Sequence, residues 1–378
     1  MKKNLQIGFL IDDSLDRFDG VQQYVTTVGG WLEKQGYGVV YFAGETKRQH
    51  VYSSPIESLS KNIAVIGNKN RLSVPLWASR PKAMKILKWY KPDILHVQSP
   101  FSPLMAGRII SLKNELGFKV VSTFHIVGAG WIDKIGTQIL GASQRKQQSL
   151  IDKHIFVSNA AKNFAGNYFK NVTGEIIPNA VDVSKFRVKN VKNKQKKKNK
   201  IVFLGRLVER KGCEYLIHAF SYLKRQGHYQ NLRLVIAGTG PREVYARDLV
   251  KQYKLGKDVA FLGYVDEKKK PEILADADIC VFPSLHGESF GIVLLEAIAA
   301  GSIIIGGNNP GYSEVLENDE RILVDPRNIA NFAEKIANLL ENDKDINDLN
   351  NSLPLILKKY DINTVGPKIL KAYQDVLK

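Results

Sequence analysis

Two cysteines in 378 residues are too few for a disulfide framework. Cys213 and Cys280 lie in different expected elements and match no metal or redox spacing, which points to a reducing, cytoplasmic compartment. The seven histidines form no ligand cluster either. No apolar run approaches the length that spans a bilayer. The basic start of the chain leads into a short apolar run that meets Asp12 and Asp13, so it reads as a first strand and not as a signal peptide. No Gly-x-Gly-x-x-Gly turn follows that strand, which counts against a nicotinamide or flavin enzyme.

Acidic residues are also scarce, 37 against 55 Lys and Arg, and the net charge of +18 implies acidic partners such as nucleotide diphosphate, anionic lipid or nucleic acid. Part of the excess is local. Arg187 to Lys200 holds eight basic residues, including Lys196–Lys198, and no acidic one. With no periodicity and no interleaved aromatics, this run reads as a solvated linker, and nucleic acid is not an expected partner.

What is present is a repeating alternation of short apolar runs with helix-length segments. Before the linker the runs are 5–11, 38–43, 93–97, 119–124, 153–157 and 175–177; after it they are 201–204, 232–237, 259–262, 279–282, 302–305 and 321–324. Such runs mark parallel strands buried on both faces. The fold class is therefore α/β, with two doubly wound, Rossmann-like domains facing a central cleft. The expected parts are a first domain 1–186, a linker 187–200, a second domain 201–360, and a terminal helix 361–378 that returns to the first domain. Helices at 329–340 and 365–377 have no strand to feed, and both are expected to close back over that first domain.

The most informative segment runs from Gly287 to Glu296. It follows the strand 279–282 and opens a helix expected to begin near Phe290. Glu288 and Glu296 would then lie about two turns, roughly 12 Å, apart. One acid suits sugar hydroxyls, the other ribose hydroxyls, and the free N–H groups between them suit a diphosphate. An ordinary amphipathic helix with one acid on its wet face is the plainer alternative. Gly205–Gly212 follows the first strand of the second domain, so Arg206 and Lys211 would meet that diphosphate as fixed positive charges. Gly20, between the first strand and first helix, permits close backbone approach. His125 ends a strand before a glycine-containing loop and serves equally as a cleft-facing hydrogen-bond partner or as a satisfied buried histidine. Asp276 and Asp278 imitate a metal-binding Asp-x-Asp pair but sit at the wrong end of a strand; they read as structural, and no metal or other cofactor is expected. Lys82, Lys85, Lys88 and Lys91 share one side of a helix near 80–91, which fits either an anionic membrane surface or a solvated outer helix.

Gly20-Val-Gln-Gln23, Ser122-Thr-Phe-His125, Ile177-Pro-Asn-Ala-Val-Asp182, Gly205-Arg206 to Lys211-Gly212, and Glu288-Ser-Phe-Gly291 to Glu296 together resemble glycosyltransferase family 4. This is a retaining group with the two-domain GT-B fold. The resemblance spans about Ile7 to Leu340 and is greatest to phosphatidylinositol mannosyltransferases, through Asp19–Gln22, Leu95–Gln98, Thr123–His125 and Gly287–Leu294. It implies that Gly20, Arg206 and Lys211 hold the donor diphosphate, with Gly205 and Ser289 to Ile292 beside it. Glu288 and His125 would bind the transferred hexose, and Glu296 the ribose. The implied reaction is metal-independent, retaining hexosyl transfer, with mannose from GDP-mannose expected and a UDP-hexose the alternative, to a lipid or glycan acceptor. The implied location is cytoplasmic, at the inner face of the plasma membrane. Asp19 replaces the first glycine of the usual Gly-Gly pair, and the Arg206-to-Lys211 spacing is one residue shorter than in the mannosyltransferases. Phe101 and Ile126 stand where inositol-binding members carry polar residues, which counts against a phosphatidylinositol acceptor. A sugar-nucleotide 2-epimerase and a nucleic-acid-binding protein are the rival classes.

Overall fold

The computed structural model describes residues 5–16, 19–67, 70–128, 130–188 and 199–378, with the side chains of 64–67 and 70–74 left aside. The chain divides into two compact units, residues 1–180 with 362–378, and residues 181–361. Most of the run read as a linker, 189–198 with Lys196–Lys198, lies outside the described residues.

The first unit contains β1 (Gln6–Ile11), β2 (Gly38–Gly44), β3 (His50–Val51), β4 (Ser54–Ser60), β5 (Asn62–Gly67), β6 (Asn70–Pro75), β7 (Ile94–Ser99), β8 (Lys119–Phe124), β9 (Lys153–Phe156) and β10 (Glu175–Ile176). Eight of them form one sheet in the order β10-β9-β8-β7-β1-β2-β4-β3, parallel except for the β3–β4 pair, while β5 and β6 form a separate antiparallel hairpin. The β3–β6 segment was not anticipated: β3 has two residues, β4 and β6 are rich in Ser, Pro and Asn, and the apolar run 63–66 of β5 was missed. Helices Gly20–Lys34 and Ile362–Leu377 pack together and share a core with β1 and β2. Their approach explains Gly366, where a side chain would collide with the indole of Trp31. That indole donates to Asn363 Oδ1 at 3.3 Å.

The second unit contains β11 (Lys200–Leu204), β12 (Arg233–Ala237), β13 (Val259–Gly263), β14 (Ile279–Phe282), β15 (Ile303–Gly307) and β16 (Leu323–Val324). They form an all-parallel sheet in the order β13-β12-β11-β14-β15-β16. The direction of winding reverses between β11 and β14, and in such sheets ligands bind beyond the carboxyl ends of the two central strands.

Three expectations are corrected. The helix at Ile329–Glu341 does not return to the first unit; it packs on Cys213–Arg225 inside the second, burying Phe332, Ala333, Ile336 and Leu339. An unforeseen helix, Asp343–Tyr360, follows it, opened by the Asn342 side chain accepting from the Lys344 and Asp345 amides. Residues 181–186 belong with the second unit, because Val181 N–H donates to Tyr360 O at 2.9 Å and the turn Val183–Phe186 packs against helix Ile292–Ala299.

Candidate functional site

The loop after β11 and the loop after β14 meet at the switch point of the second sheet. Leu285 N–H donates to Arg210 O at 2.8 Å, joining the two loops directly. Gly212 makes the approach possible: its φ is 68°, and a Cβ there would strike the Pro283 carbonyl. A third loop, after β12, braces the first, since Leu207 N–H donates to Thr239 O and any Cβ on Gly238 would strike Gly205 O.

Glu288 is nearly buried in this junction, and Oε1 accepts from Arg210 Nη1 at 2.5 Å and from Lys211 Nζ at 2.8 Å. Burial alone would raise its carboxyl, but Lys211, Arg210 and the Ser284 hydroxyl outweigh that and hold it below the usual carboxylate range. Lys211 is pulled below its own usual range, first by burial and then by repulsion from Arg210 and Arg206, which Glu288 only partly offsets. Two cations thus hold one acid, with Arg206 near enough to repel Lys211, and the junction suits an anion. Arg210 was not among the expected site residues. Its signal was present, as the basic neighbour of Lys211 in the same loop, but a sequence does not show which of two adjacent cations turns toward the acid.

The helix after Glu288 begins at Ile292 and not near Phe290. Gly291 adopts φ 97°, outside helical space, and lies so close to the Tyr312 ring that only glycine fits. Glu288, Ser289 and Phe290 therefore form a loop that leads into the N-terminus of an eight-residue helix, whose first N–H groups have no intrahelical acceptor. Glu296 lies in that helix, 3% exposed, with Lys270 Nζ 3.7 Å from Oε2. Burial lowers the Lys270 ammonium, yet Glu296 and Glu267 raise it above its usual range, so the acid sits beside a firmly charged partner. Lys270 was also missed, being one of several consecutive lysines. Asp278 accepts from the Asn199 and Lys200 amides at 2.9 Å each, and Asp276 pairs with the Lys200 ammonium at 2.5 Å; both serve the start of β11.

Gly20 and His125 belong to the first unit. Gly20 is the first residue of the helix Gly20–Lys34, exposed, with open space where a Cβ would point. His125 follows β8 and is 8% exposed; its Nε2 contacts Gln98 Oε1 at 2.8 Å, and its ring stands edge-on to Tyr24. Gln98 Nε2 donates to His96 O, so Gln98 Oε1 faces His125 and Nε2 carries the proton, leaving Nδ1 as an acceptor. Burial lowers the His125 pKa to about 3, and the ring is neutral. His96 behind it is likewise lowered to about 3, by burial and then by His125, and bridges Tyr373 and Thr123 at 2.6 Å each. Phe101 is buried and Ile126 is 41% exposed.

In the helix Arg80–Tyr90, Ala83 and Leu87 are buried, and Lys82 Nζ donates to Ser58 O at 2.8 Å. Lys85, Lys88 and Lys91 are exposed. Among the described residues no helix is long and apolar enough to cross a membrane.

Residues 18–185 match the family described as Glycosyltransferase Family 4, and residues 184–353 match Glycosyl transferases group 1. A phosphatidyl-myo-inositol mannosyltransferase of Propionibacterium freudenreichii is 27% identical over 98% of this chain and 94% of its own. The Mycobacterium tuberculosis protein of the same name is 26% identical over 98% and 97%. Among solved structures, Anabaena HepE in complex with UDP superposes with a TM-score of 0.76 over 98% of this chain and 100% of that one, at 15% identity. Two doubly wound units of the GT-B kind, each matched in order by its own family, show that the chain belongs to the glycosyltransferases of group 1 and family 4.

Proposed function

We propose that the chain transfers mannose from GDP-mannose to a hydroxyl of a lipid or glycan acceptor, with retention at the anomeric carbon and without a metal ion. The observation that carries this reading is Glu288, held between Arg210 and Lys211 at the switch point of the second sheet. The relatives named for mannosyl transfer support the choice of sugar.

In this reading Arg206 and Lys211 neutralise the departing diphosphate, and the N–H groups from Ser289 to Ile292 receive its oxygens. These cations take the place that a divalent metal fills elsewhere. Glu288 accepts hydrogen bonds from hexose hydroxyls, and Glu296 from the ribose. His125, neutral, would accept from a sugar hydroxyl through Nδ1, and the helix N-terminus at Gly20 would receive phosphate. The bond from the anomeric carbon to the diphosphate breaks, the acceptor oxygen bonds to the same face of that carbon, and the acceptor's proton passes to the departing phosphate oxygen. The same reading places the protein in the cytoplasm, at the inner face of the plasma membrane. Lys82, Lys85, Lys88 and Lys91 would then face anionic lipid.

A donor panel tests this. GDP-mannose should raise the melting temperature more than UDP-glucose, UDP-galactose or UDP-N-acetylglucosamine, and should be hydrolysed slowly at a rate that EDTA leaves unchanged. A larger shift with a UDP-sugar would replace the donor, an EDTA-sensitive rate would restore a metal, and sugar inversion without acceptor would make the protein an epimerase.

A further inference from the structure

The helix Trp131–Ser143 buries the wrong residues for an ordinary outer helix. Its only buried residue is Gly141, which lies against the Tyr168 backbone where any Cβ would collide. Its large apolar side chains point outward instead: Trp131 is 71% exposed, Ile132 67%, Ile135 43% and Ile139 66%. At 100° per residue these four fall within an arc of about 100°, a continuous apolar stripe. Leaving such a stripe in water is unfavourable, and its contiguity marks a surface that is covered in use.

What covers it is indicated by charge. Lys134, Arg145 and Lys146 are exposed along and just beyond the helix. The turn Arg145–Gln148 packs on the helix Ala106–Ile110, which in turn packs on Arg80–Tyr90. One layer of the first unit therefore carries the stripe together with exposed Trp89, Lys85 and Lys88. Apolar residues with an aromatic at one end and flanking cations match the boundary between headgroups and acyl chains of an anionic bilayer. A second copy of the chain would bring the same positive charge against itself, which disfavours self-association through this face.

We propose that the helix Trp131–Ser143 lies in the surface of an anionic membrane, with Trp131, Ile132, Ile135 and Ile139 inserted among the acyl chains. This rests on the membrane part of the function proposed above and adds a larger hydrophobic anchor to the single exposed Trp89 of the basic helix at 80–90. The test is cosedimentation with vesicles of phosphatidylglycerol and phosphatidylcholine. The double variant Ile135→Glu/Ile139→Glu changes only exposed positions, so it should keep the wild-type melting temperature and donor hydrolysis while its vesicle partition coefficient falls at least about tenfold. Vesicle binding equal to wild type would overturn the anchor, and if Lys85→Glu/Lys88→Glu alone abolished binding, the basic helix would be the whole contact. No vesicle binding by the wild type would remove the membrane from the account and leave glycosyl transfer standing. A wild-type dimer that the double variant makes monomeric, with vesicle binding unchanged, would assign the stripe to a second copy.

Discussion

Glu288 shows how a single carboxylate can order a site. Its contacts with Arg210 and Lys211 fix two cations that would otherwise repel each other, and removing it leaves both, partly buried, without a carboxylate partner. Glu288→Ala should therefore lower both donor affinity and thermal stability, whereas Arg206→Ala, at a partly exposed residue for which no ion pair is described, should cost activity with little loss of stability. Thermal shift alongside donor turnover separates the two effects. Two buried imidazoles, His96 and His125, and the partly buried His154 supply a pH prediction. His96, His125 and His154 bind protons only near pH 3 to 4 when folded, because burial penalises the charged ring. Unfolded imidazoles take up protons below about pH 6.5. The unfolded state thus binds more protons in between, and the stability present at neutral pH is lost as pH falls from about 6.5 toward 4. At pH 5 the loss should be about 2 kcal/mol for each of His96 and His125, measured by urea unfolding. His96→Gln should flatten the dependence. The loops that carry Arg206, Lys211 and Glu288 were legible because each follows a strand of the second sheet. Arg210 and Lys270 were not, because each sits beside other cations and only packing chooses among them.

Among the secondary elements, glycines at the ends of helices and strands set the geometry. Gly212 and Gly291 combine positive φ with a neighbour exactly where a Cβ would stand, the Pro283 carbonyl in one case and the Tyr312 ring in the other. Gly212→Ala and Gly291→Ala should each destabilise the second unit by about 1–3 kcal/mol and displace the Glu288 loop. The expected signature is a lower urea midpoint together with a raised KM for donor; an unchanged KM would mean that the loop's position does not depend on these glycines. Continuous apolar strands such as β1, β8, β11 and β14 were readable from composition alone, as parallel strands buried on both faces are. β3, β4 and β6 were not, because they carry no such run, and the short run 63–66 of β5 was missed. The helix Asp343–Tyr360 was hidden by Pro354 and by polar residues along its exposed side, although Asn342 with Asp343 and Asp345 is a recognisable start signal.

For the whole molecule, the chain leaves its first unit at residue 180 and re-enters it at 362. The returning helix completes a core: Val365, Ile369, Ala372 and Tyr373 are fully buried with Tyr24, Val28 and Leu32, and Tyr373 bonds to His96. Deleting residues 362–378 should therefore unfold or strongly destabilise the first unit while sparing the second. In calorimetry one transition would be lost or lowered and the other kept. The two-domain α/β plan was legible from the alternation of runs; the lack of a strand to feed pointed rightly to the return of the final helix but wrongly to that of Ile329–Glu341. The boundary at 181 was not, because it depends on where the turn Val183–Phe186 packs.

The central claim is that the Glu288, Arg206 and Lys211 constellation binds a sugar nucleotide and stabilises its departing diphosphate. Single-turnover consumption of GDP-mannose by wild type and Lys211→Ala, at saturating donor, tests it most directly. The account predicts a fall of about 100- to 1,000-fold in the rate for the variant, with the fold retained. A variant rate within a factor of two of wild type would contradict it.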